Sequence, residues 1–110
     1  MVFAGDEIGA TGWWGEDSRT PFPWHNRSGW DLDTLDAYRA LLAVRRDSRA
    51  LAVGGLRWLH VGTDVIAWVR DHPDESVLVV AARNQAEPVR IPMAELRGSD
   101  LHHLFGFDAK

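Results

Sequence analysis

Two pairs of adjacent carboxylates stand near the start of the chain, Asp6-Glu7 and Glu16-Asp17, and a guanidinium follows at Arg19. Paired carboxyl groups are the equipment of glycoside hydrolysis, which needs two of them flanking one bond, about 5–5.5 Å apart when configuration is retained. Neither pair meets that need by its spacing. Neighbours on an extended chain point to opposite faces, so Asp6 and Glu7 do not converge on one bond, and Glu16 and Asp17 do so only if the loop bends sharply. No catalytic residue is therefore assigned. Between the pairs stand Trp13 and Trp14, flat apolar side chains of the kind that stack on sugar rings or pack a loop on itself. The sequence holds six tryptophans in 110 residues, and Trp13, Trp14, Trp24 and Trp30 crowd into its first third.

Other patterns carry less chemistry. Asp31, Asp33 and Asp36 lack the glycine of a calcium loop, and helix capping explains them better. The glycines at 5, 9, 12 and 15 miss the spacing of a phosphate-binding loop. His102-His103 has no acidic partner nearby to complete a metal site, so neither metal nor cofactor is expected. Asn26-Arg27-Ser28 matches a glycosylation sequon, read as chance because no signal peptide is visible. The net charge of −4 argues against nucleic acid. No apolar run reaches the length of a membrane span. The chain has no cysteine, which excludes disulfides and thiolate sites and fits a reducing compartment; a cytoplasmic location is expected. Oligomeric state is not legible.

The elements that must position these residues follow from periodicity. Met1–Ala4 reads as a short strand buried on both faces and ending at Gly5. Residues 5–33 form a long loop, of a length that is usually functional. A helix is predicted over Thr34–Arg46, with Asp33 as N-cap and one stripe at helical spacing, read as apolar, of Leu35, Tyr38, Leu41, Leu42 and Arg45. After Gly54-Gly55 the period changes from helix to strand. Leu56–Val61 and Val65–Arg70 are predicted to pair as a hairpin through Gly62-Thr63-Asp64. A third strand, Val77–Ala82, reads as central from its continuous apolar run, and Val89–Ile91, between two prolines, as a short edge strand. Neither half makes a complete core alone.

The stretches VFAGDEIGATG and GEDSRTPFPW resemble the last barrel strand and its loop in the α-amylase family of glycoside hydrolases, in members similar to α-glucosidases, maltodextrin glucosidases and neopullulanases. LDAYRALLAVRRDSRAL resembles the eighth barrel helix. GGLRWLHVGTDVIAWVRD and ESVLVVAARNQAEPVRIP resemble the first strands of the C-terminal β-sandwich. The resemblance implies an α+β fragment. Residues 1–53 would hold strand 8, the loop on the active face and helix 8 of a (β/α)8 barrel; residues 54–110 would begin an all-β domain, incomplete at Lys110. Met1 would then be an internal residue read as a start. The implied parent hydrolyses α-glucosidic bonds of maltooligosaccharides or related α-glucans with retention, its catalytic carboxylates lying upstream, and the fragment alone is expected to be inactive. A trehalose-synthase-like isomerase or transglycosylase, or a non-catalytic amylase-like scaffold, would share the same motifs. On the resemblance, Arg19 and Asp17 contact sugar hydroxyls beyond the cleaved unit, the alternative for Arg19 being an ion pair with Glu16 or Asp17. Trp13 and Trp14 would offer a sugar platform, and Asp6 and Glu7 would brace the barrel rim structurally.

Overall fold

The computed structural model describes residues 2–16, 19–83, 87–98 and 100–106. Contacts divide the chain into two units, Met1–Ala43 and Val44–Lys110, the dividing point falling within helix α1 (Leu32–Asp47).

In the first unit Val2–Ala4, the described residues of the strand expected at Met1–Ala4, form no strand; Met1 lies outside the described residues. Val2 and Phe3 are exposed, Ala4 and Gly5 make a turn, and a 3-10 turn follows at Asp6–Ile8. The reason is pairing. A strand's N–H and C=O groups need a neighbouring strand, and the described residues of this unit supply none. The Phe3 N–H instead donates to Asp6 Oδ2 at 2.9 Å. The α1 helix begins two residues earlier than predicted, and its cap is Asp31 rather than Asp33. Asp31 accepts from the Thr34 N–H at 3.1 Å and from the Thr34 hydroxyl at 2.7 Å. These bonds, the hydroxyl's first, hold the Asp31 carboxyl below the usual carboxylate range. The predicted stripe is not buried: Leu41 and Leu42 are 47% and 56% exposed.

The second unit is built on a three-stranded antiparallel sheet, β1 (Gly55–Val61), β2 (Val65–His72) and β3 (Glu75–Ala82), in the order β1-β2-β3. The β1–β2 hairpin turns through Gly62–Asp64 as the sequence predicts, and the Gly62 N–H donates to the Val65 carbonyl at 2.8 Å. A bulge between Trp58 and His60 shifts the register. The apolar run of β3 does not make it central; among the described residues β2 holds that place. One face of β2 is sealed, with Val65, Ala67 and Val69 at 8%, 0% and 1% exposure. Val89–Ile91 forms no strand, consistent with the prolines on either side removing ladder donors. The segment after it is held by Arg57, which reaches Glu95 Oε2 at 2.9 Å and the Glu95 carbonyl at 2.7 Å.

A five-residue helix, α2 (Arg49–Val53), precedes the sheet. It is too short for periodicity to reveal. Ser48 caps it, accepting from the Leu51 N–H at 3.1 Å, while the Ser48 hydroxyl donates to Glu75 Oε1 at 2.8 Å. The same Glu75 oxygen accepts from the Ala50 N–H at 2.8 Å. Ser48 and Ala50 are buried, so the carboxylate at the start of β3 satisfies donors that water does not reach. Ser48→Ala should destabilise this unit by about 1–2 kcal/mol in denaturant melts, the upper range for a lost cap, because two hydrogen bonds go together. The Ala50 N–H, then the Ser48 hydroxyl, holds the Glu75 carboxyl below its ordinary value. A depressed carboxylate stabilises fully above its unfolded value and loses that contribution as pH falls through the folded one. Glu75→Gln should therefore flatten part of the acid limb of the melting curve; an unchanged slope between neutral pH and about pH 3 would refute the linkage.

Candidate functional site

The loop residues of the first unit surround a concavity of about 450 Å³, within the range of small-molecule sites. Glycine conformation shapes one wall. Gly5 (φ 101°) and Gly9 (φ 66°) bracket the Asp6–Ile8 turn in the left-handed region, where a side chain would be strained. A Cβ on Gly5 would also lie 2.9 Å from the Ala10 side chain. Ile8 is buried, and its carbonyl accepts from the Asp31 N–H at 3.0 Å, which returns the loop to the start of α1.

The aromatic residues of Pro21–Trp30 pack on one another. Phe22 lies 4.4 Å from Trp24 and 5.4 Å from Trp30 between ring centroids, and the Trp30 indole N–H donates to the Pro23 carbonyl at 3.3 Å. Arg27 sits over the Trp30 ring at 5.6 Å, within cation–π range.

Of the residues singled out by sequence, Trp14 and Asp6 line the concavity, together with Phe22, Thr11 and Thr20. Trp13 does not line it and is 94% exposed. Asp6 and Glu7 both accept backbone donors, from Phe3 and from Gly5 (3.0 Å) respectively. Arg19 is exposed, and its N–H donates to the Glu16 carbonyl at 3.0 Å. Asp17 lies outside the described residues. Phe22, Thr11 and Thr20 are not singled out by the sequence; the Pro-Phe-Pro-Trp run is the available signal for the first. No group of three His, Asp or Glu side chains able to hold a metal gathers among the described residues. Nor is any helix among them long and apolar enough to cross a membrane.

No family model matches the chain. Over 99 residues, 90% of its length, it is 25% identical to a cyclomaltodextrinase from Thermoanaerobacter pseudethanolicus; the chain spans 17% of that protein's length.

Proposed function

We propose that this chain is the C-terminal portion of an α-glucan-active glycosidase of the α-amylase family, whose parent cleaves α-glucosidic bonds with retention. In this reading residues 1–53 close the catalytic barrel and residues 54–110 begin the β-domain, the boundary falling between α2 and β1. Asp6 and Glu7 brace the barrel rim, and Trp13, Trp14, Asp17 and Arg19 belong to the substrate-facing loop. The observation that carries it is the likeness to a cyclomaltodextrinase through loop, helix and sheet alike, across 90% of the chain. It agrees with the motifs quoted from the sequence.

The catalytic carboxylates of the proposed parent lie outside these residues. Asp6 and Glu7 are each engaged with a backbone N–H within three residues, an arrangement that steadies a turn rather than flanking a glycosidic bond. The purified 110-residue chain should therefore show no turnover of a chromogenic α-glucoside. The protein encoded by the whole surrounding reading frame, including a barrel of about 250 residues, should hydrolyse maltooligosaccharides and release product with the α configuration. Turnover by the short chain that vanishes in Asp6→Asn or Glu7→Gln would overturn the assignment of roles. Inversion, or no activity in the full-length protein, would overturn the reaction.

A further inference from the structure

Charges gather on the sealed face of the sheet. Arg57 of β1 pairs with Val69 of β2, so the two share a face, and Ala67 and Asp71 share it by alternation along β2. Ala67 and Val69 are buried there. Beside them the Arg57 Nε lies 3.5 Å from Asp71 Oδ2, and the Ser76 hydroxyl donates to Asp71 Oδ1 at 2.6 Å. The terminal nitrogens of the same guanidinium hold Glu95 twice, through its carboxylate and its carbonyl. Arg97, two residues further on, acts on Asp71. The Ser76 hydroxyl first, then the charges of Arg57 and Arg97, keep the Asp71 carboxyl below its ordinary value against the opposing effect of burial. The four charged groups therefore alternate in sign as Arg97, Asp71, Arg57 and Glu95, two from the sheet and two from the segment that follows it.

That segment has little regular structure to fix its place. Residues 92–97 contain one 3-10 turn, Met93–Glu95, in which the Glu95 N–H donates to the Pro92 carbonyl at 2.9 Å and the Leu96 N–H to the Met93 carbonyl at 3.0 Å. They join no strand, so no ladder ties them to β1, β2 or β3. The side chains of Arg57, Asp71 and Glu95 are 42%, 26% and 54% exposed. Water and salt reach such groups, and dissolved ions weaken their attraction, whereas the ladders and the buried apolar contacts of β2 are not screened in this way. We propose that the alternating row is an ionic latch, and that residues 92–97 are a strap that opens and closes on the sheet as a unit, separately from the strands, in response to ionic strength. Release of the latch lifts Glu95 and Arg97 away from the face that carries Ala67 and Val69 while the three strands stay paired. Such local openings lie below global unfolding in free energy.

Amide hydrogen exchange of the 110-residue chain tests this, followed at the Glu95 and Leu96 N–H groups for the strap and at the amides of β2 and β3 for the sheet. Arg57→Met keeps the apolar stem and removes the charge. It should speed exchange of the strap amides about threefold or more, the scale of an exposed charge network, and leave the sheet amides within about twofold. Raising the salt from about 0.05 to about 0.5 M should move the parent chain in the same direction and leave Arg57→Met unmoved. Should Arg57→Met fail to fold, Glu95→Gln serves in its place. Its effect should have the same sign and a smaller size, because the Glu95 carbonyl still accepts from Arg57. Sheet and strap amides accelerating together would overturn the proposal, making the strap part of the sheet's cooperative unit. Equal salt dependence in the parent and in Arg57→Met would remove the ionic latch. Strap exchange indifferent to both substitution and salt would assign the hold to apolar contacts instead.

Discussion

Gly54→Ala should destabilise the sheet-bearing unit by about 1–3 kcal/mol, the range for an overpacked site, whereas Gly55→Ala should stay within about 0.5 kcal/mol of the parent sequence. The two glycines are adjacent, so the contrast isolates space from sequence context. A Cβ on Gly54 would meet the Ala50 carbonyl oxygen at 2.5 Å, the Asp71 carbonyl oxygen at 2.7 Å and the Ala50 Cα at 2.9 Å. These are backbone atoms and have no rotamer to give. On Gly55 the nearest atom would be 4.0 Å away, an ordinary contact. Strain in φ is not involved, for Gly54 has φ −66° and ψ 156°. Nor can the Gly54 backbone yield easily. Its N–H donates to the Ala50 carbonyl at 2.9 Å, and its carbonyl accepts from Arg70 at 2.6 Å. Urea melts of the two variants in the 110-residue chain would decide the matter. Similar midpoints would mean that α2 and β2 move apart at little cost.

The Gly-Gly pair was legible as the place where helical period gives way to strand period, and β1 and β2 lie where the alternation puts them. What was not legible is which glycine is needed, because that depends on Asp71, which approaches from β2. The same limit explains Glu75. A carboxylate that caps a helix 25 residues earlier leaves no local trace, while a cap three residues from its donor does. Even that local signal was ambiguous: Asp31 and Asp33 are equally good cap types two positions apart, and the Thr34 hydroxyl selects Asp31. The apolar run of β3 predicts a central strand, because both of its faces need covering. The structure places β3 at the edge of the described sheet, with Val77 buried and Ala81 and Ala82 exposed. In the candidate loop, residue types pointed to Trp13 and Trp14 together; only the three-dimensional path separates Trp14, which lines the concavity, from Trp13, which does not.

In the full-length protein proposed above, Arg19→Ala should raise KM for longer maltooligosaccharides by about tenfold or more, and much less for a single-glucose aryl glycoside. The expectation rests on the match of the Ser-Arg-Thr-Pro stretch to the substrate-facing loop and on the exposure of Arg19 in the structure. A guanidinium donating to hydroxyls of a sugar beyond the cleaved unit contributes about 1.5–3 kcal/mol per charge-assisted hydrogen bond, and a small aryl glycoside has no sugar there to lose. Such binding, if equal in ground and transition states, changes KM and leaves kcat in place. Arg19→Lys should recover part of the loss, since an ammonium keeps the charge but not the planar fork that grips two oxygens at once. The competing role for Arg19 is to steady the loop through an acidic neighbour. Among the described residues no ion pair joins it to Glu16; its N–H donates instead to the Glu16 carbonyl, a bond that the alanine variant keeps. A structural role would weaken both substrates alike and lower the melting temperature. Unequal KM with an unchanged melt is the signature of contact with the longer substrate, and equal loss on the two substrates would assign Arg19 to the loop.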